Sequence, residues 1–419
     1  MQRDETLGVA VVGAGMVGVC CALELQRRGL SVQLIDRKPP GQETSFGNAG
    51  VLARSSLIPF NNPTLWASLP RLLTNRTPPF RYNPLYLLQE MKWGLGFLGR
   101  ARPSILHETT LALDALIRSS IAAHRQLMPA AGISHRLRED GWIYLYRDAQ
   151  ALVKSRMMRE VFGQFEIATQ ELDPAALRSL EPHLRPIFQR ALWIKDAYSV
   201  DDPGQVVQAY ARLFQARGGE LVQAEIAALQ RGTQGSWQLR GADGSVRAAS
   251  QVVIALGPWA NDLLTPLKLA APLAFERGYH QNFVANPDAR LGRPVYDRAV
   301  GYVLAPMEGG VRLTTGVELT RRDAPANLAQ LRTTEVSARE AFPLGAPSGT
   351  HWLGSRPTLP DSRPLIGAAP RHPGLWLALG HQHIGFSTGP GTAQLLADLM
   401  LGETCSIEPA PFRPERFIA

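Results

Sequence analysis

Six residues near the start of the chain, 13–18, read GAGMVG and carry glycines at the GxGxxG spacing. An acid, Asp36, follows 18 residues after Gly18. In a βαβ unit these residue types bind a dinucleotide. The glycines allow a tight turn, close approach of the backbone to a pyrophosphate and close helix packing, and the carboxylate accepts a ribose hydroxyl. The candidate residues of this predicted site are Gly13, Gly15, Met16, Val17, Gly18, Asp36 and Arg37.

The flanking residues predict the elements that position this motif. The apolar, β-branched run 7–12 predicts a strand that enters the glycine turn. Residues 19–28 predict a helix that ends before Gly29, and residues 31–35 predict a second strand that delivers Asp36. The helix would present free N–H groups to phosphates. The motif leaves the choice between NAD and FAD open, and a glycine-rich connection in another α/β domain is the alternative interpretation.

A run of small polar residues, 43–52, follows the second strand and reads ETSFGNAGVL. It suits neither helix nor strand, but it can place amides and hydroxyls against a diphosphate and a flat polar ring, with an ordinary turn as the alternative. Two later predicted strands, 252–256 and 375–379, also end in turns, and residues 391–400 predict a helix after the second turn. The candidate cofactor residues in these turns are Thr44, Ser45, Asn48, Ala49, Gly50, Leu52, Gly257 and Trp259.

The composition is that of a globular protein with two or three domains. The chain has 419 residues, 45% of them hydrophobic, with 44 basic and 36 acidic residues and a net charge of +8. Five of the basic residues are lysine and 39 are arginine; because they are scattered and no recognition motif is present, we expect no nucleic-acid partner. The three cysteines, Cys20, Cys21 and Cys405, match neither a disulfide framework nor a metal pattern, so we expect a reducing compartment and no metal.

Several motifs occur in the order found in a known family. They are GAGMVG at 13–18 with Asp36, ETSFGNAG at 43–50, ALGPWANDLL at 255–264, RGYHQNF at 277–283, WLGSRPTLPDSRPLIG at 352–367 and GHQHIGFSTGPGTAQLLADLM at 380–400. On these residues the chain resembles the superfamily of FAD-dependent D-amino-acid oxidases and glycine oxidases, and most closely the bacterial D-amino-acid dehydrogenases. The resemblance runs from one end of the chain to the other and implies that the dinucleotide is FAD.

The resemblance implies an α/β fold with two domains. A Rossmann-like FAD-binding domain would be assembled from the discontinuous segments 1–56, 200–265 and 350–419. An α+β substrate-binding domain, residues 57–199 and 266–349, would hold a mixed, largely antiparallel sheet. Residues 142–146 and 311–317 predict strands of that sheet, and residues 107–126 and 203–215 predict flanking helices.

The resemblance also implies roles for side chains at the reaction site. Arg356, in the sequence GSRP, matches the arginine that binds the substrate carboxylate, and its planar fork suits bidentate binding. Tyr279 matches a tyrosine that bonds the carboxylate or covers the site, with a core tyrosine as the alternative. His383 stands where glycine oxidase has an arginine, and contact with substrate, contact with flavin and plain packing all stay open. Val51 and Leu52 would shape the pocket above the flavin ring.

The same resemblance places further residues beside the flavin. His381, Gly385 and Phe386 lie in the turn that matches the flavin-contacting one. The helix after that turn would direct its positive end toward flavin N1 and O2 and stabilise the reduced, anionic flavin. Some branches of the family link FAD to a cysteine before the C-terminal motifs. Because no cysteine occurs between Cys21 and Cys405, we expect noncovalent FAD.

The implied reaction is oxidation of a D-amino acid by hydride transfer from Cα to flavin N5, which gives an imino acid. Secondary amino acids such as D-proline and hydroxyproline are among the candidate substrates. The electrons would pass to a quinone-type acceptor or a partner subunit. An oxygen-using oxidase of the glycine or sarcosine type and a flavin subunit of a multi-subunit dehydrogenase complex are the alternatives.

Residues 57–102 combine aromatic residues and leucines with six basic residues and one acid, a local charge of +5. This composition suits a membrane surface, although helices that cover the substrate domain would explain it equally well. No apolar run reaches the ~20 residues of a membrane-spanning helix. We therefore expect a cytoplasmic protein, with peripheral attachment to the inner membrane as an open alternative.

Overall fold

The fold is given by a computed structural model that describes residues 8–232 and 235–418. These residues form twelve α-helices and 22 strands. The helices are α1 (Met16–Arg27), α2 (Thr64–Leu73), α3 (Pro84–Gln89), α4 (Met91–Gly99), α5 (Pro103–Ala130), α6 (Ala149–Lys154), α7 (Arg156–Gln164), α8 (Pro174–Leu180), α9 (Pro203–Ala216), α10 (Ala260–Leu264), α11 (Ala329–Ala341) and α12 (Gly385–Leu401). The strands are β1 (Val9–Val12), β2 (Val32–Asp36), β3 (Val51–Leu52), β4 (Phe80–Tyr82), β5 (Leu137–Arg138), β6 (Trp142–Tyr146), β7 (Thr169–Leu172), β8 (Arg190–Ile194), β9 (Tyr198–Val200), β10 (Glu220–Gln223), β11 (Ile226–Arg231), β12 (Trp237–Gly241), β13 (Val246–Ala249), β14 (Gln251–Ile254), β15 (Ala274–Val284), β16 (Val295–Asp297), β17 (Tyr302–Met307), β18 (Gly310–Thr314), β19 (Val317–Leu319), β20 (Pro347–Thr358), β21 (Leu365–Ala368) and β22 (Leu375–Leu379).

A six-stranded sheet with the order β10-β2-β1-β14-β22-β21 contains the predicted βαβ unit. The first five strands are parallel and β21 is antiparallel to β22. All four residues of β1 are buried, as expected for a central parallel strand covered on both faces. The predicted βαβ unit is confirmed, since α1 connects β1 to β2 and Asp36 is the last residue of β2.

Helix α12 begins at Gly385, six residues before the predicted start. Proline is disfavoured inside a helix because it leaves the carbonyl four residues earlier without a donor. In α12, Pro390 leaves the carbonyl of Phe386 without its usual helical donor. Nε2 of the buried His124 donates to that oxygen at 3.1 Å. The ring of His124 therefore supplies the missing hydrogen bond, and the helix extends through the proline.

A ten-stranded sheet forms the second large layer. Its order is β4-β19-β15-β18-β17-β16-β6-β8-β7, and β20 also pairs with β15. The pairs β16–β6 and β19–β4 are parallel, and the other seven are antiparallel, so the predicted mixed, largely antiparallel sheet is confirmed. The strand predicted over residues 311–317 is two strands, β18 and β19. The chain bends between them where Gly316 meets Pro79, whose carbonyl oxygen would lie 2.1 Å from a Cβ at position 316.

Two three-stranded sheets, β11-β12-β13 and β3-β9-β5, complete the architecture. The strands of the six-stranded sheet all come from residues 1–56, 200–265 and 350–419, whereas β20 of the ten-stranded sheet crosses residue 350. The domain boundaries themselves stay a prediction. Within residues 8–232 and 235–418, no helix is long and apolar enough to cross a membrane.

Candidate active site

A cavity of about 750 Å³ is lined by residues of both large sheets. On one side it meets the carboxyl ends of β1, β2 and β14, the edge at which parallel α/β sheets bind ligands. On the other side it meets the ten-stranded sheet. Eighteen predicted site residues line it: Gly13, Gly15, Met16, Val17, Asp36, Arg37, Thr44, Ser45, Asn48, Ala49, Val51, Gly257, Trp259, Arg356, His381, His383, Gly385 and Phe386.

The glycine turn between β1 and α1 is held by backbone contacts. Gly13 has φ +113°, and a Cβ there would lie 2.4 Å from the carbonyl oxygen of Ala255. Gly18 does not line the cavity; a Cβ on it would lie 1.7 Å from the oxygen of Gly13. Gly15 differs, because its backbone is extended and a Cβ would meet only the Ser45 hydroxyl, at 3.3 Å. The protein itself therefore does not require glycine at position 15, but close approach of a phosphate does.

The Asp36 carboxylate both lines the cavity and orders the turn. It accepts the N–H of Ala14 at 2.6 Å and the N–H of Lys38 at 2.9 Å. Burial nevertheless raises the pKa of Asp36 above its usual range. Beside it the guanidinium of Arg37 lies 4.4 Å from the ring centre of Trp259, so these two predicted residues form one wall of the cavity.

Sequence analysis missed another part of the cavity lining, which lies beside Asp36. Residues 224–227 line the cavity at the end of β10, which pairs in parallel with β2 so that Gln223 lies beside Asp36. The carboxyl ends of neighbouring parallel strands share one edge, and this rule would have indicated the segment had β10 been recognised as part of the sheet.

The loop of residues 43–50 is fixed from three directions. The N–H of Met16, in the first turn of α1, donates to the Ser45 hydroxyl at 3.0 Å, and the Thr44 hydroxyl donates to the carbonyl of Ser355 at 3.1 Å. The guanidinium of Arg312 donates to the carbonyls of Phe46 and Asn48, both at 2.8 Å.

Arg312 is a positioning residue that the sequence did not indicate. It lies on β18, is only 4% exposed, and burial lowers its pKa to about 10. It also donates to the side chain of Asn282 at 3.0 Å. Arg312 thus ties the loop of residues 43–50 to the ten-stranded sheet, although nothing in its local sequence distinguishes it from the other arginines.

The N-terminus of α12 points its first turn at the cavity, which Gly385, Phe386 and Ser387 all line. The first N–H groups of a helix have no acceptor within the helix and carry partial positive charge. His381, in the preceding turn, is buried and shares a 2.9 Å hydrogen bond with the Thr392 hydroxyl. This end of the cavity can therefore stabilise negative charge on a bound ring without a charged side chain.

Arg356 lies on β20 directly opposite Glu276 of β15. The neighbouring Gly278 makes room for it, because a Cβ at position 278 would lie 2.3 Å from a terminal nitrogen of the guanidinium. Among the described residues Arg356 has one hydrogen-bond acceptor, the carbonyl of Gly316, at 3.4 Å. Most of its N–H donors are consequently available to a ligand carboxylate in the cavity.

The charges around Arg356 reflect burial. Burial lowers the pKa of Arg356, and Glu276 opposes that shift. Burial raises the pKa of Glu276, which is 4% exposed, to about 7, and Arg356 limits the rise. Burial, and then Arg356, lower the pKa of His383 to about 4, so its ring is neutral at neutral pH. Arg356 is therefore the cation of this part of the cavity, and His383 contributes an uncharged ring.

The ring of His383 stacks on Phe60, with centres 4.8 Å apart. Within the described part of the chain its Nδ1 has no hydrogen-bond partner. This nitrogen is itself buried, although other atoms of His383 line the cavity.

Tyr279 does not line the cavity, in contrast to the predicted contact with a substrate carboxylate. Its phenol donates to Glu318 at 2.6 Å and accepts from Arg277 at 3.1 Å and from the N–H of Asn327 at 2.9 Å. Side chains alternate between the two faces of a strand, and Gly278 faces Arg356, so Tyr279 faces the other side of β15. Its position matches the alternative of a core tyrosine. Gly50 and Leu52 also lie outside the cavity lining.

An aromatic wall was also missed. Trp142 and Tyr144 of β6 meet edge to face at 4.7 Å, and Tyr144 meets Tyr296 of β16 in the same way at 5.4 Å. All three rings line the cavity, and Arg298 lies beside them. The sequence WIYLY contains the signal, since its alternate aromatic residues share one face of a strand.

Acid should destabilise this protein through three buried histidines. Burial is the main cause that lowers the pKa of His124 to about 4 and of His280 and His381 to about 3. Below the unfolded pKa of about 6.5 the unfolded state binds more protons, so stabilisation is lost as pH falls, by about 2 kcal/mol for each histidine at pH 5. Glu276 has the opposite sign, because its raised pKa makes the folded state gain stability between pH 7 and 4.5.

Burial also raises the pKa of five other carboxyls, which act in the same direction as Glu276: Asp36, Glu90, Asp140, Glu181 and Asp196. We expect the three histidines to outweigh these carboxyls, with a melting temperature at pH 5 a few degrees below that at pH 7. The measurement is thermal unfolding of the protein followed by circular dichroism. His124→Gln should reduce the difference, whereas the exposed His135→Gln should leave it unchanged. Equal melting temperatures at the two pH values would contradict this account.

The class of protein follows from the glycine turn and Arg356, which line the same cavity. A dinucleotide cradle that opens onto a cavity with an available cation is typical of an oxidoreductase with a bound redox dinucleotide. The chain belongs to the FAD-dependent oxidoreductase (DAO) family, whose sequence model matches residues 8–399. Its cofactor is therefore FAD, and the predicted family, enzyme class and cofactor are confirmed.

Similar proteins cover the whole chain. A D-amino-acid oxidase of Bradyrhizobium diazoefficiens is 29% identical over 418 residues, which are 98% of this chain and 99% of that protein. A D-amino acid dehydrogenase of Granulibacter bethesdensis is 27% identical over 420 residues, 98% and 99% of the two chains. Among solved structures, glycine oxidase from Geobacillus kaustophilus has a TM-score of 0.75 at 22% identity and covers 99% of this chain and 100% of its own, which shows the shared fold.

The cavity fits FAD. Gly15 would let a pyrophosphate approach the start of α1, the polar loop of residues 43–50 provides amides, and the first turn of α12 provides positive charge. Asp36 lies at the end of β2, where a ribose hydroxyl is received in this fold. These residues would hold the cofactor along the edge of the six-stranded sheet, with Arg356 and the aromatic wall on the side of the ten-stranded sheet.

Proposed function

We propose that this enzyme oxidises D-amino acids to imino acids and that the electrons pass to a quinone-type acceptor. The observation that carries the proposal is that Arg356, with most of its donors unpaired, shares one cavity with the residues that fit FAD. The names of the two relatives above, an oxidase and a dehydrogenase of D-amino acids, support the substrate class. FAD, when bound, supplies the acceptor for the hydride of the substrate Cα.

The chain's own contribution is position and exclusion of water. Arg356 would bind the α-carboxylate through its planar fork and so decide which face of Cα carries the hydrogen toward the flavin. Trp142, Tyr144 and Tyr296 would cover the substrate side and keep water out. His383, neutral because of its low pKa, would accept or donate a hydrogen bond without adding a charge next to Arg356. No strong acid or base is required when the substrate amine is neutral.

The proposal is tested by anaerobic titration of the purified holoenzyme while flavin absorbance is recorded. The substrates are D- and L-alanine, D-glutamate, D-proline, both hydroxyproline epimers, glycine and sarcosine. We expect bleaching by D-enantiomers, slow reoxidation in air and fast reoxidation by a quinone analogue. Bleaching by glycine and sarcosine with fast reoxidation in air would favour the oxidase instead, and no bleaching by any of them would overturn the amino-acid assignment. Flavin released into the supernatant by acid precipitation would support noncovalent FAD.

A membrane surface is the proposed source of the quinone. Six large apolar side chains within residues 57–102 are more than half exposed: Trp66, Leu73, Leu85, Leu88, Met91 and Leu95. Helix α2 has no buried residue. The same segment carries six basic residues and one acid. Exposed apolar and basic side chains on short helices are the combination that binds anionic lipid interfaces.

We expect the holoenzyme to sediment with vesicles of 30% anionic lipid at low salt and to be partly released at high salt. Replacing Leu88 and Leu95 by serine should weaken binding at least tenfold, because each side chain contributes about 1.5–3 kcal/mol when buried in an apolar phase. Leu111→Ser is the matched control, since Leu111 is 51% exposed but lies outside the segment. Equal binding of both variants and of the unaltered enzyme would contradict membrane attachment through this surface.

A further inference from the structure

A further cation, Arg298, lines the cavity away from Arg356. It follows the last residue of β16, and its backbone N–H donates to the carbonyl of Leu145 at 3.1 Å. Within the described residues its guanidinium has no ion-pair or hydrogen-bond partner, whereas the neighbouring Arg147 binds Asp297 at 2.8 Å. Arg298 is therefore an exposed cation in the cavity wall that the folded chain does not neutralise.

Two aromatic rings support the side chain of Arg298. Its guanidinium carbon lies 5.3 Å from the ring centre of Tyr144 and 5.7 Å from that of Tyr296. Cation–π contacts of this kind hold the planar group in place while its N–H donors stay free at the edges. An arginine prepared in this way suits a carboxylate, which it can bind through two parallel hydrogen bonds.

The cavity lining around Arg298 also favours a negatively charged ligand. The cavity residues drawn from segments 142–162 and 296–317 include two cations, Lys154 and Arg298, and no acid. The acids that line the cavity, which are Asp36, Glu43, Glu225 and Asp262, lie in the segments that form the dinucleotide side. A ligand in the substrate part of the cavity therefore meets positive charge at both Arg356 and Arg298.

The sheet register indicates how far apart these cations stand. Tyr296, Val303, Thr314, His280 and Trp352 form one row of paired residues across β16, β17, β18, β15 and β20. Arg298 lies two residues after Tyr296, and Arg356 lies four residues after Trp352. Because β16 and β20 run in the same direction, both arginines lie on the same side of this row. Four strand spacings of about 4.8 Å put their backbones roughly 19 Å apart, which two long side chains reduce. A ligand that reaches both must be extended.

We infer that the substrate is an extended amino acid with a second carboxylate, and that Arg298 is the specificity-determining residue that binds it. This inference rests on the proposed function, in which Arg356 binds the α-carboxylate. The expected substrates are D-2-aminodicarboxylates of the length of glutamate or aminoadipate, each favoured over an uncharged analogue of similar length. Arg298 selects substrate and takes no part in the oxidation.

The kinetic test uses the holoenzyme and compares D-glutamate with D-glutamine and D-aminoadipate with D-norleucine. We expect kcat/KM at least tenfold higher for the acids. Arg298→Met should lower the acid-to-neutral ratio at least tenfold, mainly through KM, and Arg298→Lys should restore part of it. Arg332→Met, at an exposed position on α11, is the control. A ratio unaffected by Arg298→Met, or wild-type preference for the neutral substrates, would overturn the inference.

A binding test separates this inference from the proposed reaction. Glutarate and adipate are titrated into the holoenzyme against valerate, with perturbation of the flavin spectrum as the readout. Tighter binding of the dicarboxylates that disappears in Arg298→Met supports the second carboxylate site even if no amino acid bleaches the flavin. Bleaching by D-alanine, with equal binding of dicarboxylates and valerate, would keep the proposed function and overturn the role of Arg298.

Discussion

Replacing Arg356 by alanine should lower kcat/KM for the amino-acid substrate about 10²- to 10³-fold while FAD stays bound. The guanidinium faces the cavity with one acceptor, at 3.4 Å, among the described residues, so a substrate carboxylate would be its main partner. Truncating one member of a buried, hydrogen-bonded charge pair costs about 2–5 kcal/mol, and this range contains the expected loss. The measurement is the rate of flavin reduction against substrate concentration under anaerobic conditions.

Two further variants make the Arg356 prediction specific. Arg356→Lys keeps the charge but loses the planar fork, so it should recover only part of the activity. Arg332→Ala, on the exposed side of α11, should change neither parameter. Because Glu276 loses its counter-charge in Arg356→Ala, the variant's fold should be checked by circular dichroism. Normal kinetics in a folded, FAD-loaded Arg356→Ala enzyme would remove the carboxylate-binding role.

Replacing Gly15 by valine should abolish retention of FAD and leave a folded apoprotein. The extended backbone of Gly15 does not itself require glycine, and a Cβ would meet only the Ser45 hydroxyl, at 3.3 Å, which must shift by a few tenths of an ångström. A valine side chain would instead occupy the space through which a pyrophosphate reaches the start of α1. We expect the absorbance of bound flavin after purification to fall at least tenfold, with Gly15→Ala intermediate.

Gly163→Val is the matched control for Gly15→Val. Gly163 lies in α7, and a Cβ there would meet nothing within 4 Å. Valine also has a better helix propensity than glycine, so this variant should bind FAD and unfold like the original enzyme. A Gly15→Val protein that purifies with one FAD per chain would contradict the assigned phosphate approach.

The cofactor cradle could be predicted because its signals are local in sequence. The strand, the glycine turn, the helix and Asp36 are consecutive, and each residue acts through the backbone geometry of its immediate neighbours. The segment 43–52 could be recognised as a run of small polar residues, and 380–386 as a turn between a predicted strand and a predicted helix. The start of α12 could not, because the hydrogen bond that replaces the one lost at Pro390 comes from His124, more than 250 residues earlier.

The sequence by itself thus determined the family, the FAD cradle and Arg356 as a candidate, because these depend on short motifs. Only the tertiary structure decided which of the 39 arginines line the cavity or hold its loops. Arg298, Arg312 and Arg356 lie on or beside β16, β18 and β20, and pairing of these distant segments in one sheet sets their positions. The same pairing removed Tyr279 from the cavity, since alternation along β15 turns it away when Gly278 faces Arg356.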